Sequence, residues 1–145
     1  MAIQKNGSAH WTGGIKDGKG EISTESGALA SHPYGFNTRF EGVKGTNPEE
    51  LIGAAHAACF TMALSKMLGE AGLTVTSLDT KAVVTLDKVS EGFEITAIAL
   101  DLRGSVPNTD KAAFSDIANK AKEGCPVSKA LAAVPISLNV TLNER

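Results

Sequence analysis

The stretch from Asn47 to Gly72, NPEELIGAAHAACFTMALSKMLGEAG, decides how the rest of the chain is read. Asn47 can cap a helix start, Pro48 suits the first helical position, and Glu50 completes an Asn-x-x-Glu capping box. Gly72 suits the stop. Between them Leu51, Ile52, Ala54, Ala55, Ala57, Ala58, Cys59, Phe60, Met62, Ala63 and Leu64 leave no polar face over the first half, which predicts a buried helix. From Asn47 to Ala71 it spans about 37 Å. A domain of this size has a radius of gyration near ~15 Å, so the helix crosses all of it. Gly53 and the alanines let another backbone come close. The longest apolar stretch, Leu51 to Leu64, contains His56 and falls short of the roughly 20 residues a membrane span needs, so no membrane partner is expected.

The flanking sequence supplies strands and a second helix. Asp17-Gly18 signals a hairpin between Ala9 to Thr12 and Glu21 to Thr24. Phe36, Thr38 and Phe40 alternate with Asn37, Arg39 and Glu41, which predicts a further strand. Lys81 to Asp87 and Phe93 to Leu102 read as strands joined by Ser90-Glu91-Gly92. The second changes phase, from Phe93, Ile95 and Ala97 to Ile98, Leu100 and Leu102, as a bulge or a strand covered on both faces would require. A helix with the stripe Ala113, Phe114, Ile117, Ala118 and Ala121 starts near Asn108 or Thr109 and ends at Gly124. Cys125-Pro126 opens a helical turn through Lys129 and Leu131. Pro135 begins a last strand, in which Ile136, Leu138, Val140 and Leu142 alternate with polar residues. The order predicts one α+β domain over residues 1–145, with the long helix against an antiparallel sheet.

Composition narrows the function. The 145 residues are 42% hydrophobic and 21% charged, with a formal net charge of −2. A chain of that length buries roughly 70% of its unfolded surface. This excludes a disordered tail and argues against a nucleic-acid partner, which would select a basic surplus. Two cysteines cannot staple a secreted mini-fold or build a four-thiolate zinc site. The opening Met-Ala-Ile-Gln-Lys-Asn-Gly has no apolar signal segment, so a cytoplasmic location with reduced thiols is expected.

The two cysteines admit bland and reactive readings. Cys59, inside the long helix, is either a small buried hydrophobe or a reactive thiol. Cys125 stands where an N-cap would, so unpaired N–H groups can stabilise its thiolate; equally, it is a Gly-Cys-Pro corner. His56 precedes Cys59 by three residues and shares its helix face. It can activate that thiol, ligate a metal with it, or simply pack. With Cys125 the ligands number three at most, so no metal is expected.

Beyond these local patterns, three segments resemble a known family. Thr46-Asn47-Pro48-Glu49-Glu50-Leu51-Ile52-Gly53-Ala54-Ala55-His56-Ala57-Ala58-Cys59-Phe60 is similar to the first signature of the OsmC/Ohr family of organic hydroperoxide peroxidases. Gly124-Cys125-Pro126-Val127-Ser128 is similar to its second signature, and Trp11-Thr12-Gly13-Gly14 fits its opening. The resemblance covers nearly the whole chain. It implies an OsmC-like fold, an intertwined homodimer, and reduction of organic hydroperoxides, with hydrogen peroxide reduced more slowly, in oxidative or osmotic stress defence. Cys59 would be the peroxidatic thiol and Cys125 the resolving thiol, joined in a disulfide that an external dithiol, of lipoyl type, reduces. No metal, haem or flavin cofactor is implied.

The activating cation is the least direct of these assignments. The chain has three arginines, Arg39, Arg103 and Arg145. Family pattern points to Arg39, oriented by Glu49. The Ohr subgroup carries its arginine in the early Thr-Gly-Gly-x segment, where this chain has Ile15. Without the resemblance, Arg39 reads as a strand charge paired with Glu41, and Glu49 as a first-turn residue favoured by the helix dipole. Ten residues along one helix separate Glu49 from Cys59 by about 15 Å, too far for one hydrogen-bond network. Glu49 would then come from a second subunit with an antiparallel long helix, giving a twofold dimer with two composite sites. Phe36, Phe40, Phe60 and Met62 suggest an apolar pocket, which favours alkyl peroxides at about 25 cal/mol per Å² buried. Two alternatives stand beside this reading. One is a dimeric scaffold or small-molecule binder with inert buried cysteines. The other is thiol-based acyl transfer with His56 as base, in which Cys125 would have no role.

Overall fold

Residues 1–143 are described by a computed structural model, so Arg145 lies outside the described residues. The chain divides into two compact units, residues 1–51 and residues 52 onward. In the first, β1 (Gly7–Thr12), β2 (Lys19–Thr24) and β3 (His32–Tyr34) form an antiparallel sheet in that order. The hairpin signalled at Asp17-Gly18 is present, closed by a Gly18 N–H bond to the Gly14 carbonyl at 2.9 Å.

The strand expected at Phe36 to Glu41 is instead a short helix, α1 (Phe36–Phe40). Phe36 and Phe40 satisfy a strand period, but they are also one helical turn apart, and their rings meet at a tilt of 49° with centroids 5.0 Å apart. Thr38 tips the choice. Its hydroxyl accepts from the Gly35 N–H at 3.0 Å and donates to the Thr46 carbonyl at 2.9 Å, fastening both ends of the turn. The Asn47 side chain donates to the Thr38 carbonyl at 3.2 Å and accepts from the Glu50 N–H at 2.8 Å. The residue expected to cap the long helix therefore also ties that helix start to α1. The long helix, α2 (Pro48–Glu70), ends where expected, with Gly72 in the left-handed conformation at φ 81°.

In the second unit, β4 (Ser77–Val89), β5 (Gly92–Ser105) and β6 (Ile136–Leu142) form a sheet in that order. The phase change in β5 is a bulge. Thr85 faces Ala97 and Leu86 faces Ile95, so Thr96 is the extra residue. The sheet is antiparallel only between β4 and β5; β6 lies parallel to β5, from Ile98 beside Ile136 to Gly104 beside Leu142. The reason is the connection. Helices α3 (Lys111–Gly124) and α4 (Pro126–Ala130) intervene and carry the chain back to the same end of the sheet. α3 begins later than expected because Asn108 has φ 66°, outside helix space, and Asp110 is the cap, accepting from the Ala113 N–H at 2.8 Å.

The core joins Phe60, Leu64 and Leu68 of α2 to Ile98, Leu100 and Leu102 of β5 and to Phe114, Ala118 and Ala121 of α3. Gly53 permits this approach, because a Cβ there would come within 3.3 Å of the Ala82 carbonyl on β4. The expectation that α2 is buried all round is not met within one chain. Gly53, His56, Phe60, Leu64 and Leu68 form its buried row, while Ala54, Ala55 and Ala58 are exposed and Met62 is 77% exposed. An apolar surface cleft of about 550 Å³ runs along that face, lined by Ala57, Ala58, Met62, Val75 and Leu78 among others. Taken whole, α2 is long and apolar enough to cross a membrane, with mean hydropathy 1.4 over its best window. The wholly buried side chains on its inner row mark it as the core helix of the second unit.

Candidate active site

α2 carries Cys59 next to the core residue Phe60, and the chain leaving α3 places Cys125 at the N-cap of α4 with Pro126 in the first turn. Both are free thiols, Cys59 half-buried and Cys125 buried. Their sulfurs are neighbours, close enough for each to alter the ionisation of the other. Burial pushes the Cys59 thiol up, the interaction of its S–H with Cys125 pushes it further, and the Val127 N–H pulls the other way. Burial also opposes ionisation of Cys125. There, however, the Cys59 thiol, the Ser128 N–H and hydroxyl and the Val127 N–H outweigh it and bring the thiol below its ordinary value. The N–H groups face the sulfur without completing a cap bond, so they act as aligned dipoles.

Within this unit Cys125 is therefore the thiol favoured to ionise first. The sequence reading placed the activated thiolate on Cys59. The difference follows from helix geometry: α4 offers its unpaired first-turn N–H groups to Cys125, whereas mid-helix N–H groups around Cys59 are already spent on α2.

His56 does not serve Cys59. Its Nε2 lies 2.7 Å from Ser128 Oγ, across 72 residues of sequence, and Nδ1 is buried with no partner. Among the described residues no group of three or more His, Cys, Asp or Glu side chains converges to hold a metal. Ser128 lay within the second motif, but its partner is set by tertiary packing. The only sequence signal was that His56 and Ser128 each stand three residues from a cysteine, on the same side of its helix.

Burial holds the His56 imidazolium below its usual value of 6.5. The unfolded chain takes up a proton near 6.5 that the folded chain refuses. Stability contributed by neutral His56 is therefore lost as pH falls below 6.5 and levels off below the folded-state value. We expect the melting temperature of the reduced chain to drop between about pH 7 and about pH 5, and the drop to shrink in His56→Gln. Equal pH dependence in the two proteins, followed by circular dichroism, would contradict this.

The other two expected site residues meet in the first unit. Arg39 Nε and Nη2 donate to Glu49 Oε1 and Oε2, both at 2.9 Å, a bidentate pair with the Glu49 side chain 11% exposed. The alternative partner, Glu41, is not the one chosen. The Phe40 ring lies 5.2 Å from Arg39 Cζ, a cation–π contact that fixes the guanidinium from another side. Among the described residues, Arg39 is the one charged group lining a cavity of about 310 Å³ whose other walls include Trp11, Ile15, Tyr34, Phe36 and Phe40. Ile15 thus faces the same space as Arg39. Of the other residues expected around an apolar pocket, Phe60 is wholly buried in the core and Met62 lies on the exposed face of α2.

A family model described as OsmC-like protein matches residues 41–139, which include Glu49, Cys59 and Cys125. The chain belongs to the OsmC-like family. Peroxiredoxin OsmC of Escherichia coli is 67% identical over 133 residues, covering 92% of this chain and 93% of that protein. The organic hydroperoxide resistance protein OhrB of Bacillus subtilis is 32% identical over 112 residues, 77% of this chain and 80% of that one. Among solved structures, an organic hydroperoxide resistance protein OsmC from Legionella pneumophila superposes with TM-score 0.76 at 25% identity, covering 97% of this chain and 98% of that chain. The structure of OhrB from Bacillus subtilis superposes with TM-score 0.67 at 28% identity, covering 95% and 98%. The OsmC-like fold expected from the sequence is thereby shown.

Proposed function

We infer that this chain is a thiol-dependent peroxidase that reduces organic hydroperoxides in stress defence, as its membership of the OsmC-like family and its relatives named peroxiredoxin and hydroperoxide resistance protein support. The observation that carries the reading is the meeting of two free thiols, one from α2 and one from the start of α4. The thiolate of Cys59 attacks the peroxide O–O bond. An alkoxide leaves and takes a proton, and Cys59 becomes a sulfenic acid. Cys125 attacks that sulfur, hydroxide leaves, and a Cys59–Cys125 disulfide forms. An external dithiol of lipoyl type restores both thiols. No metal or organic cofactor takes part, because sulfur carries the chemistry. The whole chain, residues 1–145, acts as one OsmC-like peroxidase domain, and it works in the cytoplasm, with neither nucleic acid nor membrane as partner.

Arg39, gripped by Glu49, is the cation that draws the negative charge onto Cys59. Burial and Cys125 both raise the Cys59 thiol, so its ionisation needs such a cation. The ten residues between Glu49 and Cys59 argue that a second copy supplies the Arg39–Glu49 pair, in an intertwined homodimer. The uncovered apolar face of α2 supports this, since Met62 and the neighbouring alanines offer a close-packing surface to a twin. Met62→Lys is expected to shift the protein from dimer to monomer in sedimentation and to lower peroxidase activity in parallel. A side chain of that size contributes about 1.5–3 kcal/mol when fully buried, and an unpaired ammonium costs more. A variant that stays dimeric, or a monomer with full activity, would refute the composite site.

One observation favours the inert-scaffold reading: burial raises the Cys59 thiol. That reading expects slow thiol labelling in the native state and no peroxide turnover. Mixing the reduced protein with tert-butyl hydroperoxide separates the two, because the peroxidase loses both free thiols with each equivalent consumed.

A further inference from the structure

The peroxidase cycle gives no role to the most enclosed polar pair in the second unit. His56 is 0% and Ser128 5% exposed, and the two bond at 2.7 Å. Ser128 sits in the first turn of α4, whose N-cap is Cys125, and its hydroxyl is one of the groups acting on that sulfur. His56 Nδ1 has no partner although it is buried. If Nε2 were the acceptor in the bond to Ser128, the ring proton would lie on Nδ1, an orphaned N–H of the kind folded proteins rarely contain. With the proton on Nε2 instead, Nδ1 is left only an unmatched lone pair, the smaller cost. Ser128 Oγ then accepts the Nε2–H, and the serine hydroxyl is left free to donate elsewhere.

We propose that His56 and Ser128 are positioning residues for the resolving thiol: His56 Nε2–H donates to Ser128 Oγ, which turns the serine hydroxyl proton onto the Cys125 sulfur and prepares it to attack oxidised Cys59. The inference rests on the two-thiol cycle proposed above. Burial keeps His56 neutral, consistent with a fixed donor that does not itself titrate during the cycle. From α2, Cys59 is the titratable group that faces Cys125, and His56 reaches it only through Ser128. No charged side chain acts on the Cys125 sulfur among the described residues.

The pair matters most after peroxide has reacted. In the reduced state the Cys59 S–H is the strongest of the favourable influences on Cys125. Once Cys59 is a sulfenic acid that S–H is gone, and the Ser128 hydroxyl and the α4 N–H groups are what remain. The step they assist is balanced. The Cys125 thiolate forms the S–S bond as the S–O bond of Cys59 breaks; the Cys59 sulfur is reduced, the Cys125 sulfur is oxidised, and the departing hydroxide is neutralised to water by the proton that Cys125 released on ionising.

The test is a single turnover of reduced protein with one equivalent of tert-butyl hydroperoxide, following sulfenic acid formation and disulfide formation separately. Ser128→Ala and His56→Leu are expected to slow disulfide formation roughly tenfold, the effect of losing one hydrogen bond to a charged sulfur, and to leave the peroxide step unchanged. Ser128→Thr, which keeps the hydroxyl, and His56→Gln, whose amide N–H can replace Nε2–H, should resolve at near the wild-type rate. A second readout titrates Cys125 as the sole thiol in a Cys59→Ser background by ultraviolet thiolate absorbance. Adding Ser128→Ala should raise the midpoint by about one pH unit, a tenfold loss of thiolate below it. Wild-type disulfide rates in Ser128→Ala, or an unmoved midpoint, would overturn the proposal. If wild type itself forms no disulfide, the two-thiol cycle has failed instead, and the titration alone decides whether Ser128 governs Cys125. Should His56→Leu not fold, the alanine and threonine variants at position 128 carry the test.

Discussion

Replacing Cys59 by serine is expected to lower alkyl hydroperoxide consumption by roughly a thousandfold or more, the scale at which loss of a nucleophile acts. A hydroxyl at that position ionises far less readily than a thiol and cannot form a sulfenic acid or a disulfide. Cys125→Ser should behave differently. It should consume one equivalent of peroxide and then stop, leaving a sulfenic acid at Cys59 that a dimedone-type reagent traps or that excess peroxide overoxidises. Stopped-flow oxidation with tert-butyl and hydrogen peroxides side by side checks both variants, and the alkyl peroxide should react faster. The structure makes the reverse assignment a definite competitor, because the surroundings lower the Cys125 thiol and raise that of Cys59. Access decides between them: Cys125 is wholly buried, whereas Cys59 is half-exposed and can meet a peroxide. If Cys125→Ser abolished the first oxidation while Cys59→Ser allowed it, the roles would have to be exchanged.

The second large effect is expected at Arg39. Removing a cation from beside a thiolate raises the thiol pKa by about 1–3 units. At neutral pH the reactive fraction of Cys59 then falls, and Arg39→Ala should slow the peroxide step roughly a hundredfold. The sign with pH follows directly. Cys59 is already raised by burial and by Cys125, and loss of the guanidinium raises it further, so the variant's rate should climb about tenfold per pH unit well above neutrality, where wild type has levelled off. Arg39→Lys should recover part of the rate, since it restores charge but not the two-point grip on Glu49. Glu49→Gln keeps the cation and loses only the anchor, so its defect should be smaller than that of Arg39→Ala. An Arg39→Ala protein with the wild-type pH profile would remove Arg39 from the chemistry and leave its ion pair a local tie between α1 and α2.

Those two experiments probe what the amino-acid order made visible and what it left hidden. The start of α2 was legible because capping is local: Asn47, Pro48 and Glu50 carry their chemistry within one turn, and the Asn47 side chain does accept from the Glu50 N–H. The β5 bulge was legible for the same reason, since a change of phase must appear wherever a strand gains a residue. At Phe36 to Phe40 local order was ambiguous, because residues four apart share a face in a helix and also in a strand. The Thr38 bonds to Gly35 and Thr46 settled it, the second reaching eight residues along the chain.

By itself, then, the order of residues determined the long helix, the first hairpin, the β5 bulge and the closing strand, the thiol at the mouth of α4 and membership of a family whose signatures bracket both cysteines. Only the tertiary structure decided that the last strand runs parallel to its neighbour, that one face of α2 stays bare, that His56 answers to Ser128 instead of Cys59, and that Cys125 is the thiol its surroundings favour for ionisation. The first group rests on contacts within a turn or along a strand. The second rests on side chains far apart in the chain but pressed together by a shared core, where burial and a few oriented N–H groups set which sulfur holds the proton.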